Sequence, residues 1–273
     1  MSLFIASLNS GSNGNCYYVG NEQEAVLVDA GISCRETERR MNRLGLPLSK
    51  VKAIFISHEH TDHISGLSVL ATRYQLPVYI TAPTLANARI RIPAHLAVSF
   101  SSGEVIEVGG LSVTSFVKHH DARDPHSFSI TGNGITVGVF TDIGQPCNRL
   151  ASHFSKCHAA FLEANYDTNM LLNGRYPHFL KHRISGGKGH LSNAQALQLF
   201  LEHRPAYMTH LLLSHLSKDN NDPELVQRLF REQAAGVEVV VASRFGESEV
   251  YCIRGNQTTT SVRAARTAQI ALF

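Results

Sequence analysis

Short apolar runs separated by small or charged residues recur along most of the chain. Residues 4–8, 16–19 and 25–28 read as strands. The link Asn9-Ser10-Gly11-Ser12-Asn13-Gly14-Asn15 is all small and turn-forming, so it must bend tightly or approach something closely. Ser33 and Glu36 predict a capping box for a helix that Gly45 ends. Residues 51–56 read as a buried strand. From Ile64 the apolar period changes to three and four (Ile64, Leu67, Ala71, Tyr74), which predicts a helix to about residue 74. Strands follow at 77–81, 105–108, 111–118, 127–131 and 135–141, then at 158–162, 207–213, 237–242 and 249–253. Ser192 with Gln195 predicts a second capping box, and its helix stops near Pro205. Asp222-Pro223 opens another helix, ended by Gly236. Two strand-rich halves, each with covering helices, imply packed sheets with helices outside.

The chemistry concentrates where the strand 51–56 gives way to a helix. His58-Glu59-His60-Thr61-Asp62-His63 packs three imidazoles and Asp62 into six positions. In extended backbone, side chains two apart share a side, so His58 and His60 can converge on one cation. Asp62 and His63 point elsewhere, which suits a second. Glu59 and Thr61, between them, are expected to face away. Imidazole with a few carboxylates favours zinc or a similar first-row divalent ion.

Other polar groups sit at strand ends. His119-His120-Asp121 closes the strand 111–118, and either histidine can serve as a third ligand: apolar residues precede both parities, so alternation does not decide. Asp142 ends the next strand, where a carboxylate can bridge two cations or simply make a turn before Gly144. His215 ends a later one. Glu163 follows the strand 158–162, and His190 precedes a helix; a carboxylate holding an imidazole suits a general acid. Lys181, Arg183 and Lys188 either bind phosphate or form a solvated basic face.

Composition adds limits. A chain of 273 residues can form one large domain or two small ones. With 43% hydrophobic and 17% charged residues it is ordinary for a globular protein. There is no membrane-length apolar run and no signal-peptide pattern. The five cysteines are odd in number and form no CxxC pair, so they read as reduced thiols in a cytoplasmic protein. A net charge of +3 permits a basic groove but does not itself indicate nucleic acid. The 15 histidines exceed ordinary usage and need a cause. From Gly255 the chain turns polar and rich in Thr and Arg, a tail.

The HxHxDH run, Asp142 and the late His215 together resemble the metallo-β-lactamase fold, an α/β, four-layer αββα sandwich with a dinuclear metal site. Ser10-Gly11-Ser12 with Gly14-Asn15, His120-Asp121-Ala122, Glu163 to Asp167, Tyr176-Pro177 with Leu180-Lys181 and Arg183-Ile184, Gly189 to Asn193, and His215 to Asn221 narrow the likeness to the YycJ/WalJ group of hydrolases. These motifs span residues 3 to 253. The resemblance implies a 5′-to-3′ DNA exonuclease, related to ribonuclease Z and more distantly to β-CASP nucleases. It assigns His58, His60 and His120 to one metal and Asp62, His63 and His215 to another, with Asp142 bridging. His directly before Asp-Ala favours His120 over His119. Asp62, Glu163 and His190 become the catalytic side chains, while Lys181 and Arg183 stay candidate phosphate contacts from the residue reading alone. Zn2+ is the expected ion, with Mn2+ or Fe as alternatives. His126 departs from the group's pattern, where a smaller residue is usual.

The interval from Asp142 to His215 is too short for a β-CASP domain, and no Gly/Pro-rich arm for gripping tRNA is present, so a simple DNA end is the expected substrate. The hydrolase domain is placed at 1–254 and a tail at 255–273. The tail closes on Gln269-Ile270-Ala271-Leu272-Phe273, which resembles the bacterial sliding-clamp-binding peptide; Gln269, Ile270, Leu272 and Phe273 would make that contact, or fold back on the domain. Rival readings are a nuclease for RNA ends, a phosphodiesterase for small cyclic phosphates, and a non-catalytic module using metal structurally.

Overall fold

The computed structural model describes residues 2–255. The tail beyond Gly255, with Gln269, Ile270, Leu272 and Phe273, lies outside the described residues. The first half runs β1 (Ser2–Asn9), β2 (Cys16–Gly20), β3 (Ala25–Val28), α1 (Cys34–Arg43), β4 (Val51–Phe55), α2 (Thr61–Ile64), α3 (Leu67–Tyr74), β5 (Val78–Tyr79), α4 (Ala82–Asn87) and β6 (Ala97–Val98). The second half runs β7 (Val105–Val108), β8 (Leu111–Val117), β9 (His126–Gly132), β10 (Ile135–Phe140), α5 (Asn148–Phe154), β11 (Ala159–Glu163), α6 (Thr168–Asn173), α7 (His178–Ser185), α8 (Asn193–His203), β12 (His210–Ser214), α9 (Pro223–Arg231), β13 (Glu238–Val241) and β14 (Tyr251–Arg254). Among the described residues no helix is long and apolar enough to cross a membrane.

The strands form two seven-stranded sheets, ordered β14-β1-β2-β3-β4-β5-β6 and β13-β12-β11-β10-β9-β8-β7. Three apolar layers follow. Ile5, Tyr17, Val28 and Phe55 of the first sheet pack face to face with Phe128, Val139, Phe161 and Leu212 of the second. Phe55 meets Phe128 at a centroid distance of 5.7 Å, and Tyr17 meets Phe161 at 4.9 Å. Leu8, Leu27 and Ile54 face Met41, Leu67 and Leu70 of the covering helices. Phe140, Leu162 and Leu213 face Phe154, Phe200 and Phe230 on the other side. The result is the expected αββα sandwich. Each central strand is buried on both faces, and for that reason reads as a continuous apolar run rather than an alternating one.

Two local expectations change. The helix foreseen from Ile64 to residue 74 breaks between α2 and α3. A Cβ at Gly66 would lie 1.8 Å from the Ile32 carbonyl oxygen, and Gly66 N–H donates to the Ala30 carbonyl, so backbone contact displaces the regular turn. The box at Ser33 is only half made. Ser33 accepts from Glu36 N–H, but the Glu36 carboxylate turns to Arg39 and Arg40 instead. At Ser192 both halves form.

The register puts the chemistry on one edge. The strands β3 to β6 run parallel, as do β10 to β13. Carboxyl ends of such strands are where a sheet leaves crevices for ligands. His58 to His63 follow β4, Asp142 follows β10, Glu163 ends β11 and His215 follows β12.

Candidate metal centre

The chain bends sharply at this edge. Asp29, Asp142 and His215 have φ of 61°, 54° and 56°, left-handed values that Asp and His tolerate better than bulky residues. Each bend turns a strand-end side chain toward the seam between the sheets. Close backbone approach fixes the metal loop: a Cβ at Gly31 would lie 1.7 Å from the Asp62 carbonyl oxygen. That same oxygen accepts from Asn15 N–H at 2.7 Å, so the small-residue link after β1 approaches the loop it was expected to approach.

Within this frame the donors gather in two groups. His58 Nε2 lies 3.0 Å from His60 Nδ1, and His120 Nε2 lies 3.3 Å from the same atom. His215 Nε2 and His63 Nε2 lie 3.3 Å and 3.5 Å from Asp62 Oδ2. Asp142 stands between the groups, with Oδ2 3.1 Å from His63 Nε2 and Oδ1 3.7 Å from His120 Nε2 and 3.6 Å from His215 Nε2. His119, by contrast, is exposed, so His120 is the one brought to the centre. Glu59 turns away, accepting from Asn87 Nδ2 and Arg123 N–H. His126 is buried elsewhere, edge-on to Phe100, and donates from Nδ1 to the Asp124 carbonyl.

The donor set fits divalent ions. A tetrahedral ion with bonds of about 2.0–2.1 Å holds neighbouring nitrogens about 3.3–3.4 Å apart, close to the spacings seen. Asp142 Oδ2 is buried and, despite its proximity to His63, has no hydrogen-bonding partner among the described residues. A buried carboxylate oxygen left bare is costly unless something positive takes it.

The backs of three imidazoles, His58, His63 and His120, are tied, which turns the other nitrogen toward the centre. His63 Nδ1 donates to Asp29 Oδ2 at 2.7 Å. His58 Nδ1 donates to Ser57 Oγ at 2.9 Å, and Ser57 in turn donates to Asp29 Oδ2. His120 Nδ1 donates to the Gly189 carbonyl at 3.0 Å. Asp29 and Ser57 were missed from sequence, although Asp29 carries the same signal as Asp142, a carboxylate directly after an apolar strand. Lys118, also missed, is buried and donates to the Thr141 carbonyl at 2.7 Å, just before Asp142.

The two groups differ in protonation tendency. Burial holds His58 well below the usual imidazole range, and burial with the nearby Lys118 and His190 charges brings His120 down to about 4. Burial opposes charge on His215 too, but Asp142, Asp62 and Glu163 outweigh it and push it up to about 10. His63 is likewise raised against burial by Asp142, Asp29 and Asp62. Asp142, though buried, is held well below the carboxylate range by His215 and His63. The carboxylates around the second group thus favour positive charge there.

Glu163 and His190 form a pair at the rim. His190 Nδ1 donates to Glu163 Oε1 at 2.7 Å, while Glu163 Oε2 accepts the N–H groups of Ile143 and Leu191. The Glu163 carboxyl, although buried, is lowered to about 2, chiefly by His190. His190 faces a cavity of about 260 Å³ shared by His60, Asp142, His215, Tyr176 and Arg183. Arg183 lines it while its Nε bonds Asp121 Oδ2 at 2.6 Å. Lys181 does not line it; its Nζ donates to the Leu172 carbonyl and ties α7 to α6.

A family model described as the beta-lactamase superfamily domain matches residues 24–215. The chain belongs to the metallo-β-lactamase superfamily. It is a metal-dependent hydrolase of that superfamily, and its His and Asp cluster suits divalent metal ions. Among superfamily relatives, it is 36% identical over 244 residues to exodeoxyribonuclease YycJ of Bacillus anthracis, covering 87% of this chain and 92% of the relative. It is 30% identical over 243 residues to exodeoxyribonuclease WalJ of Streptococcus pneumoniae, covering 87% and 90%. The crystal structure of the superfamily protein YhfI from Bacillus subtilis superposes with a TM-score of 0.71 at 17% identity, covering 92% of this chain and all of that one.

Proposed function

We propose that this protein is a dinuclear phosphodiesterase that degrades DNA from a 5′ end. The observation that carries the reading is the Glu163–His190 pair, with a 2.7 Å bond, set on the rim of the donor cluster. His58, His60 and His120 would hold one ion and Asp62, His63 and His215 the other, with Asp142 between them. Divalent ions bound there supply Lewis acidity toward water and phosphate oxygens. The residues of the chain do the rest. Arg183, lining the same cavity, presents a guanidinium to a phosphate. Glu163 holds His190 by Nδ1, which leaves Nε2 as the ring nitrogen that faces the substrate. From there His190 hands a proton to the departing 3′ oxygen as the oxygen of water bonds to phosphorus and the P–O3′ bond breaks, and the product carries a 5′-phosphate. The DNA preference rests on the relatives named as exodeoxyribonucleases.

Replacing Asp142 with Ala is the test. Metal content by mass spectrometry and cleavage of 5′-labelled DNA should both collapse, and a fully active variant refutes the proposal. Running RNA and a chromogenic phosphodiester alongside separates a DNA enzyme from the RNA-end and small-phosphodiester readings. A metal-replete protein inert on all three supports the non-catalytic one.

The five free cysteines fit a reducing compartment, so we place the protein in the cytoplasm. We also propose a domain boundary at 254/255, with the tail offering Gln269, Ile270, Leu272 and Phe273 to a sliding clamp. Deleting residues 269–273 should abolish clamp binding, and unchanged binding rejects that role.

A further inference from the structure

Beside the metal cavity lies a second one of about 270 Å³. Ser217 lines both cavities, and Leu216, which directly follows His215, forms part of the second wall. The lining is mostly apolar and includes Leu216, Val241 and Phe245. Its charged members are Lys218 and Arg244, and it contains no carboxylate. Phe245 is 80% exposed, although large aromatic side chains are normally covered. The Arg244 guanidinium lies 6.0 Å from the Phe245 ring centroid. Arg244 Nη1 is buried and has no acceptor among the described residues.

We infer that this cavity is a nucleobase subsite for the nucleotide next to the scissile phosphate. The inference rests on the phosphodiesterase reading for the location of that phosphate, and extends it to how the substrate is held. A nucleobase has two apolar faces and a rim of carbonyl and ring-nitrogen acceptors. An exposed phenyl ring beside a guanidinium is a platform for such a face, and stacking of this kind tolerates any base. The Arg244 guanidinium, in the wall of the cavity, adds positive charge for a neighbouring phosphate. Lys218 and Arg244, with no acidic side chain beside them in the cavity wall, match an anionic backbone and disfavour an acidic or purely apolar occupant. Because Ser217 lines both cavities, they adjoin, and a nucleotide with phosphate in one has the other next to it for its base.

Two small esters test this: the p-nitrophenyl ester of thymidine 5′-monophosphate, which carries a base, and bis(p-nitrophenyl) phosphate, which does not. The ratio of their kcat/KM values should fall about tenfold in Phe245→Ala. It should recover in Phe245→Trp, which restores a stacking face. A ratio unchanged in Phe245→Ala overturns the subsite. Calorimetric binding of thymidine 5′-monophosphate against inorganic phosphate needs no turnover. If the wild-type protein cleaves neither ester, the phosphodiesterase reading falls, and the calorimetry still decides the subsite. Tighter binding of the nucleotide than of phosphate, weakened by Phe245→Ala, supports it. Equal binding of the two overturns it. Nucleotide binding seen only after deletion of residues 256–273 also overturns it, in favour of the chain's own end as occupant.

Discussion

Replacing His190 with Ala separates proton delivery from metal holding. In the folded protein His190 gives one hydrogen bond to Glu163, and Glu163 keeps two more from Ile143 and Leu191 N–H. Both of those reach Oε2, so in the variant Oε1 keeps only His215 Nδ1, 3.4 Å away. The loss is one charge-assisted hydrogen bond, about 2 kcal/mol, or a Tm lower by about 4–8 °C. Metal content should not change: His190 comes within reach of Asp142 and His215, but its Nδ1 is engaged by Glu163 at 2.7 Å and it belongs to neither proposed ligand set. The rate should change a great deal. A departing 3′ alkoxide needs a proton, so cleavage of DNA should slow by about 10²–10⁴-fold. A p-nitrophenolate leaves readily unprotonated, so the chromogenic ester should lose less than about tenfold by the same argument. The assay is a pair of kcat values for the two substrates, with metal analysis of the same preparation. Equal losses on both substrates, or a loss of metal matching the loss of rate, would refute the reasoning.

Other outcomes follow from features remote from the rim. Gly66→Ala places a methyl group 1.8 Å from the Ile32 carbonyl oxygen, so the backbone must move; a destabilisation above about 3 kcal/mol, read from denaturant unfolding, is expected. The Glu36 carboxyl is lowered to about 2, first by its bond to Arg39 and then by Arg40, against some burial. A carboxyl lowered in the folded state stabilises fully above its unfolded value and loses that contribution as pH falls toward 2. With a side chain one quarter exposed, screening leaves about 1–2 kcal/mol, so the Tm gap between wild type and Glu36→Gln should be widest above pH 5 and close by about pH 2. A gap independent of pH contradicts this. Removing metal with a chelator should lower Tm, and restoring it at a hundredfold excess over Kd should return about 2.7 kcal/mol. Identical melting curves with and without metal would mean the donor cluster is not occupied.

The fold was legible because its central strands are buried on both faces, so runs such as Ala159–Glu163 and His210–Ser214 announce themselves by apolarity alone. Helix α7 was not legible: it buries none of its own side chains, and without a buried face no apolar period is written into it. The loop His58 to His63 was visible as a dense cluster. Choosing between His119 and His120 lay beyond alternation, because β8 ends at Val117 and the backbone leaves extended geometry before either histidine. Asp29 escaped notice for the opposite reason, as an isolated carboxylate at a strand end, and Ser57 because a lone hydroxyl beside the histidine run carries no ligand signal of its own. Lys181 looked like a phosphate contact within a basic run. Its true partner, the Leu172 carbonyl, is a backbone atom that no side-chain pattern reveals.

The placement of the donors also sets a timetable. His58 to His63 follow β4, but His120, Asp142 and His215 follow strands of the other sheet, and His215 follows β12. A chain emerging from its N-terminus thus carries an incomplete donor set until most of it has been made and the second sheet has closed on the first. An ion that met the loop alone would find His58, His60, Asp62 and His63, without His120, Asp142 or His215. The complete donor set, and with it any preference among divalent ions, therefore exists only once the two sheets have closed.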